Sequence, residues 1–254
     1  MHRADTVRRL APAHRHVGVI DVAFTRADLR RAEVAVVVDV LRATSTITQA
    51  LAAGYRSVLC VADVEQALAL REPGRVLAGE RCCVTPPGFE MGNSPLEAMR
   101  VYGDELVLTT TNGAPTIVAA ARHAARVMIG CLLNLDALVD ALRDEDDIQV
   151  VCSGAGGRGA LEDVYVAGRI CRGVPGLRSD AARIAESVAG RYRSPVDALR
   201  ASEHARTLEA AGLDDDIGFC ARESLLDVVP RVTQARRGIA TLEPATARAD
   251  TLIA

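Results

Sequence analysis

Short runs of β-branched and other apolar residues recur along the first part of the chain, and a helical or loop-rich segment separates each run from the next. This alternation predicts six strands, at residues 34–40, 57–61, 75–78, 105–110, 127–131 and 148–152. The run from Val34 to Val38 is apolar at every position, which is typical of a strand buried on both faces. We therefore predict an α/β fold of three layers, α/β/α, in which helices cover both faces of a mostly parallel sheet.

The pattern becomes helical after Cys152. Apolar residues at spacings of three and four predict helices at 161–172, 179–191 and 196–211, and a last strand is predicted at 227–232. The three aspartates at 214–216 follow Gly212 and predict a turn. We expect the helical third to pack on the sheet, so the chain is predicted to form one domain, 17–254, after a flexible N-terminal extension, 1–16.

A weak internal match relates two stretches of the sequence. Thr46-Ile47 resembles Thr116-Ile117 at an offset of 70 residues, and the similarity continues on both sides. An internal repeat of 34–80 and 105–154 would give two similar duplicated halves, whereas chance matching between Ala-rich helices would give none. Both interpretations are open on the sequence alone.

The charge of the chain narrows the classes of function. Of 254 residues, 49% are hydrophobic and 25% charged, and the formal net charge of −3 offers no general attraction for nucleic acid or an anionic membrane. All 30 basic residues are arginine. A chain without lysine cannot carry a Walker P-loop, a pyridoxal Schiff base or the catalytic machinery of a protein kinase.

The seven cysteines lie mostly within apolar runs, as free thiols do in a reducing compartment. No C-x-x-C pair occurs, and no histidine lies at metal-ligand spacing from a cysteine, so a structural zinc site is not expected. The sequence has neither the apolar core of a secretory signal nor an apolar stretch long enough for a bilayer. We expect a cytoplasmic protein that binds no membrane and no nucleic acid; a homo-oligomer is compatible with the sequence.

Polar turns follow three of the predicted strands, at 39–46, 109–113 and 152–158. Hydroxyls, amides at helix starts and arginines suit a phosphate or a sulfonate, and the carboxyl ends of parallel strands share one edge of a sheet. We therefore predict one anion site, although Thr44 or Ser45 alone would also serve as a helix cap. The candidate substrate-binding residues are Arg42, Thr44, Ser45, Thr46, Arg81, Asn93, Ser94, Thr111, Asn112, Gly113, Ser153 and Gly154.

Four carboxylates lie at predicted strand ends or helix starts, namely Asp39, Glu80, Glu162 and Asp163. Because they lack a set of histidine or cysteine partners, they suit a hard ion such as Mg²⁺, which takes one or two carboxylates and completes its shell with water and phosphate. All four are candidate metal ligands. The candidate catalytic residues are Asp39, Glu80, Asp163 and Arg158, and the Pro-, Gly- and Asn-rich segment 80–97 is the predicted active-site loop.

Two other functions are compatible with these residues. Cys152 and Arg158 have the C-x₅-R spacing of cysteine-dependent phosphatases, in which a thiolate attacks the phosphate. A buried strand-end thiol is the simpler interpretation, because no histidine precedes Cys152. A phosphate- or sulfonate-binding protein without catalysis is the second alternative. A phosphatase of the haloacid dehalogenase type is excluded, because Leu41 occupies the position of its second acid and the chain has no lysine.

Several motifs in order resemble the 2-phosphosulfolactate phosphatase family. They comprise residues 39–47, 79–81, 88–97, 109–113 and 161–163, and then Ser202-Glu203-His204 with Arg206, Asp216-Ile217 with Phe219-Cys220, and 227–230. The resemblance extends from about residue 17 to residue 232. It implies Mg²⁺-dependent hydrolysis of 2-phospho-3-sulfolactate, a small anionic phosphate ester, to sulfolactate and phosphate in the coenzyme M pathway.

Two loops depart from the family pattern. Cys82-Cys83 stands where the family typically has two glycines, and Gly156, Gly159 and Ala160 stand where it has polar or larger residues. One loop has thus gained bulk and the other has lost polar contacts. A shifted specificity, toward a related phosphorylated hydroxy acid, is therefore an open alternative.

Overall fold

The computed structural model describes residues 18–246, so the predicted N-terminal extension at 1–16 lies outside the described residues. A single ten-stranded sheet runs through the structure. Its strands are β1 (Val19–Ala23), β2 (Ala32–Val38), β3 (Ser57–Val61), β4 (Arg75–Gly79), β5 (Glu105–Thr109), β6 (Ala124–Gly130), β7 (Asp147–Cys152), β8 (Leu177–Arg178), β9 (Val228–Arg236) and β10 (Ile239–Thr246). The helices are α1 (Ala43–Ala53), α2 (Val64–Ala69), α3 (Gly113–Ala120), α4 (Leu135–Ala141), α5 (Leu161–Gly173), α6 (Asp180–Arg191), α7 (Pro195–Arg200), α8 (Glu203–Ala210) and α9 (Asp214–Cys220).

Two groups of parallel strands make up most of the sheet. In one group β5 lies between β4 and β3, and in the other β2 lies between β6 and β7, with β1 and β8 beyond β7. The antiparallel hairpin of β9 and β10 joins the groups by pairing with β6 and β3. Because three antiparallel pairings separate the two groups, their strands run in opposite directions. The prediction of a mostly parallel sheet is confirmed.

Strand β2 explains the three layers. Val34, Val36 and Val38 face a core built with α4 and α5, whereas Ala35 and Val37 face a second core built with α1 and α3. The unbroken apolar run therefore buries side chains on both faces, as the sequence predicted. Helices α5 and α6 of the C-terminal third also pack on strands of the sheet. The predicted α/β class with three layers is confirmed, while the domain boundaries at 17 and 254 stay predictions.

The two segments of the suggested repeat contain the same order of elements. One is β2-α1-β3-α2-β4 and the other is β5-α3-β6-α4-β7. The first strand of each segment lies between the second and third strands of the other, so the segments have exchanged strands. Helices α1 and α3 make these crossings and contact strands of both groups. The structure therefore has two halves of similar topology that are interlocked.

Several details differ from the prediction. The segment 196–211 forms two helices, because Ser202 interrupts it and caps α8 by accepting a hydrogen bond from the amide of Ala205 at 3.0 Å. The turn predicted at 214–216 is wrong, since these aspartates form the first turn of α9. Strands β1, β8 and β10 were not predicted. Within residues 18–246, none of the helices combines the length and hydropathy needed to cross a bilayer.

Candidate active site

Asp39 follows β2 at the place where the starts of α1 and α3 meet. Its Oδ1 accepts a hydrogen bond from the amide of Ala43 at 3.2 Å. A Cβ on Gly113, the first residue of α3, would lie 2.5 Å from the Cβ of Ala43 and 2.6 Å from Oδ2 of Asp39. Only glycine allows this approach. The site therefore lies between the two halves. The three polar turns were expected at one edge formed by parallel strand ends, but β2 and β7 run opposite to β5, so the turns meet across the two groups instead.

Asp163, in the first turn of α5, links the ends of β2 and β7. Its Oδ1 accepts from the amide of Val40 at 3.0 Å, and its Oδ2 accepts from the amide of Gly154 at 3.1 Å. The side chain is buried. Both carboxylate oxygens thus have fixed positions next to the loop that carries Asp39.

Glu80 follows β4 and is held from two sides. Its Oε1 accepts from the amide of Thr111 at 2.8 Å, and its Oε2 accepts from the amide of Cys83 at 3.0 Å and from the hydroxyl of Thr111 at 3.2 Å. The hydroxyl of Thr111, which the sequence assigned to the substrate, therefore orients a carboxylate in this structure.

His204, near the start of α8, lies among these carboxylates. Its Nδ1 is 3.5 Å from Oε1 of the buried Glu162. Burial alone would lower the pKa of His204. The effects of Cys83, Glu162 and Asp39 outweigh burial and raise the pKa to about 10. The imidazole is therefore protonated at neutral pH and offsets part of the negative charge. The sequence had named His204 only within a family motif and not as a site residue.

The carboxylates share an excess of negative charge. Burial raises the pKa of Asp39 to about 6, against the opposing effect of His204, and the charges of Glu80 and Glu162 add to the rise. Burial also raises the pKa of Asp163 well above its ordinary value, and Asp39 and Glu162 contribute. Oxygen donors that repel one another in a buried place are the chemical setting that a hard divalent cation relieves.

The donors do not form a preformed cage. Within residues 18–246, no three His, Cys, Asp or Glu side chains lie in an arrangement that could hold a metal ion directly. The donor types fit Mg²⁺ in its usual mode, in which one or two carboxylates bind and waters or phosphate oxygens fill the remaining positions.

Arg42 enters the site from the cap of α1 and is held by Asp216. Its Nη1 lies 2.5 Å from Oδ2 of Asp216, and both side chains are 3% exposed. The hydroxyl of Ser94 donates to the other oxygen of Asp216 at 2.6 Å. Asp216, which the sequence assigned to a turn, thus joins α9 to two predicted substrate-binding residues, and the peptide between Leu41 and Arg42 is cis.

Two cavities adjoin at His204. The smaller has a free volume of about 10 Å³, and its lining residues are Asp39, Leu41, Arg42, Glu80, Cys83, Asn93, Asn112 and His204. The larger has a volume of about 370 Å³ and includes Arg158, Glu162 and Arg206 in its wall. The buried Oδ1 of Asn93 has no hydrogen-bond partner in the described chain. A polar group entering the smaller cavity would supply one.

Comparison with known proteins identifies the family. A family model for 2-phosphosulpholactate phosphatase matches residues 22–235. The chain belongs to this family. The 2-phosphosulfolactate phosphatase of Methanothermobacter thermautotrophicus is 41% identical over 197 residues, which cover 77% of this chain and 84% of the relative. The probable 2-phosphosulfolactate phosphatase of Pseudothermotoga lettingae is 38% identical over 220 residues, which cover 86% of this chain and 97% of the relative.

A third relative, the probable 2-phosphosulfolactate phosphatase of Thermus thermophilus, is 37% identical over 218 residues, which cover 83% of this chain and 92% of the relative. The protein is therefore a phosphoric monoester hydrolase. All the site residues described above lie within the matched range of the family model.

Several predicted substrate-binding residues of this phosphatase turn away from the cavities. Thr44 accepts a hydrogen bond from the amide of Asp39 at 3.2 Å, and Ser45 donates to the carbonyl of Val40 at 2.8 Å. Arg81 donates to the carbonyls of Glu80 and Ala62 and to the hydroxyl of Thr109. These side chains shape the loops that carry the site.

The remaining candidates lie in different surroundings. The amide of Gly154 holds Asp163, as described above, whereas the hydroxyls of Thr46 and Ser153 are buried without a hydrogen-bond partner in the described chain. Arg158 is 79% exposed at the rim of the larger cavity, where it lies 3.5 Å from Glu203.

Cys152, the candidate nucleophile of the alternative mechanism, is fully buried at the end of β7. Burial raises the pKa of its thiol well above the ordinary value, and the carboxylates of Asp163 and Glu162 add to the rise. Residues 155–158 after it form a tight hairpin, with hydrogen bonds of 2.9 and 3.1 Å between Ala155 and Arg158. A thiol held protonated in this way is a poor nucleophile.

Proposed function

We propose that the protein is a Mg²⁺-dependent phosphatase that hydrolyses 2-phospho-3-sulfolactate, or a related small acidic phosphate monoester, to the hydroxy acid and phosphate. The observation that carries this proposal is the group of Asp39, Glu80, Glu162 and Asp163 between the two halves, beside cavities bordered by arginines. The names of the relatives support the choice of substrate.

Asp39, Glu80, Glu162 and Asp163 are the residues that would hold Mg²⁺, through one or two of their carboxylates. A bound Mg²⁺ supplies charge neutralisation at the phosphoryl oxygens and a site for an activated water. Asp39 is suited to accept the proton of the attacking water at Oδ2, because the amide of Ala43 already holds its Oδ1 in place. The backbone bonds to Asp163 and Glu80 keep their carboxylates in position.

The positive groups divide between the two cavities. Arg42 and protonated His204 line the smaller cavity and are suited to phosphoryl oxygens, whose charge spreads in a loose transition state. Arg158 and Arg206 line the larger cavity and are suited to the sulfonate and carboxylate of the substrate. Because Arg158 is largely exposed, we assign it to substrate capture at the rim.

Phosphate release from a panel of phosphomonoesters, measured with Mg²⁺ and with excess chelator, tests the proposal. We expect 2-phospho-3-sulfolactate to give the highest kcat/KM and chelation to abolish turnover. Asp39→Asn and Asp163→Asn should lose orders of magnitude in kcat, whereas Asp140→Asn, at an exposed position of α4, should not. Full turnover in excess chelator would refute the metal assignment, and ligand binding without release from any ester would favour a binding protein.

The expectations that the protein binds no nucleic acid and that a homo-oligomer is compatible with the sequence stay predictions.

A further inference from the structure

Cys82 and Cys83 occupy the two central positions of a tight hairpin turn after β4. The amides and carbonyls of Arg81 and Val84 bond to each other at 2.9 and 3.0 Å across the turn. The φ angles of the two cysteines are 50° and 65°, both in the left-handed region. Two-residue hairpin turns with positive φ at both central positions favour glycine or asparagine, because other side chains strain the backbone there.

The chain contains a second turn of this kind. After β7, Gly156 and Gly157 have φ angles of 58° and 76°, and Ala155 and Arg158 bond to each other across them. Strands β4 and β7 are the last strands of the two interlocked halves. The glycine pair satisfies the same backbone geometry without strain. The turn therefore does not require cysteines, and the Cys82-Cys83 hairpin holds two thiols at a place where they strain the backbone.

The Cys82-Cys83 hairpin lies at the proposed catalytic centre. Cys82 is exposed, whereas Cys83 is partly buried and lines the smaller cavity with Asp39 and Glu80. His204 lines the same cavity. The cavity has a free volume of about 10 Å³, room for about one water, so a larger group attached to the Sγ of Cys83 cannot fit within it and would instead block it from its wall.

The same cavity carries an independent sign of a ligand. The Oδ1 of Asn93 is buried in its wall without a hydrogen-bond partner in the described chain, although buried polar atoms are normally paired. The cavity is therefore suited to a polar occupant. A modification at Cys83, in the wall of this cavity, would block the access of such an occupant.

The other five cysteines are less exposed than Cys82 and Cys83. Cys60, Cys131, Cys152, Cys171 and Cys220 are all buried. Since thiol exchange requires access to the sulfur, a reagent in solution reaches Cys82 and Cys83 first.

We propose that the Cys82-Cys83 hairpin is a modification site for low-molecular-weight disulfides, and that a mixed disulfide at Cys83 closes the catalytic cavity. The effect on catalysis rests on the proposed phosphatase function. In the exchange, the Sγ of cysteine attacks one sulfur of the disulfide, a new S–S bond forms and the original S–S bond breaks. The electron pair leaves with the second sulfur, which takes up the proton that the cysteine loses. One disulfide is consumed and one is formed, so no further oxidant is needed.

Oxidised glutathione is the probe, and each variant is compared with its own untreated sample. Intact-mass measurement and peptide mapping locate the adduct, and phosphate release measures its effect. We expect wild type and Cys82→Ser to form an adduct at Cys83, to lose most of their activity and to recover it with dithiothreitol. Cys83→Ser should carry the adduct at Cys82 with little loss.

The double variant Cys82→Gly/Cys83→Gly, which reproduces the turn of Gly156-Gly157, should form no adduct while folded. Inorganic phosphate should slow the reaction at Cys83 but not at Cys82, and this readout does not depend on turnover. If the untreated protein released no phosphate, the phosphatase proposal would fail. The formation of the adduct at Cys83, and its slowing by inorganic phosphate, would still test the modification site. No adduct at Cys83 in the folded wild type, or an adduct there with unchanged turnover, would overturn the inference.

Discussion

The carboxylate of Asp216 holds the guanidinium of Arg42 at 2.5 Å in a salt bridge that is almost entirely buried. Its second oxygen accepts a hydrogen bond from Ser94, in the loop that follows β4. Asp216 therefore connects the start of α1, the predicted active-site loop and the start of α9. A buried arginine that lines a cavity needs such a partner, because an unpaired charge there is strongly unfavourable.

Asp216→Asn should weaken both stability and substrate binding. Removing one partner of a buried ion pair costs about 3–5 kcal/mol in the free energy of unfolding, and an Arg42 without its partner should raise the KM for the phosphate ester. Urea denaturation and steady-state kinetics measure the two effects. Asp215→Asn, at the exposed neighbouring position, is the control. An unchanged KM would show that Asp216 does not position Arg42 for the substrate.

Gly113→Ala should lower kcat. The added methyl would lie 2.5 Å from the Cβ of Ala43 and 2.6 Å from Oδ2 of Asp39, so it must displace one of them. Overpacking of this kind typically costs about 1–3 kcal/mol in stability. Gly218→Ala is the matched control, because a Cβ there would meet nothing within 4 Å. Equal kcat values for the two variants would contradict the assigned role of Asp39.

Cys152→Ser should retain most of the phosphatase activity, because the buried thiol serves in packing and not in attack. Phosphate release by the variant, with and without chelator, checks this expectation. A rapid-quench search for phosphocysteine in the wild type gives a second measurement. An inactive Cys152→Ser variant together with full wild-type activity in chelator would favour the cysteine mechanism.

Glu105→Gln should remove a pH-dependent part of the stability. Arg75 and, more weakly, Ser57 and Arg56 hold the pKa of Glu105 below its ordinary value, against the effect of burial. Because the folded pKa is the lower one, this stabilisation is present above pH values near 4.5 and is lost as the pH falls through the folded pKa. Urea denaturation at pH 7 and at lower pH should show the difference between variant and wild type shrinking on acidification.

The control for this measurement is Glu65→Gln, at an exposed position of α2. A Glu105→Gln variant as stable as the wild type at pH 7 would contradict the predicted contribution.

The strands that are buried on both faces of the sheet were predictable, because each appears in the sequence as a short, continuous run of apolar residues. Residues 57–61 were predicted with the bounds that β3 has, and 75–78, 105–110 and 148–152 differ from β4, β5 and β7 by one residue. Strand β1 lies near the edge of the sheet and contains Asp21, so its pattern is weaker. Strand β10 is partly exposed and includes Pro244, which is unfavourable in a strand pattern.

The site was predictable where chemistry follows a strand end, as at Asp39 and Glu80. Asp216 stood within a family motif, but its role was not predictable, because a local run of aspartates after a glycine has the composition of a turn and only the contact with the distant Arg42 reveals what it does. The opposite directions of the two strand groups were equally hidden. They depend on the pairing of β9 and β10 with strands more than a hundred residues earlier, which no local pattern encodes.

The exchange of β2 and β5 between the halves has a consequence for biosynthesis. The strands β4, β5 and β3 connect to the group around β2 only through β10 and β9, because β10 pairs with β3. The continuous sheet therefore cannot form until Ile239–Thr246 has been synthesised. Neither half can close its own ladder from its own residues. Neither half can therefore complete its part of the sheet during translation, before the other half has been synthesised. A truncated chain that ends before β9 lacks the two strands that join the two groups.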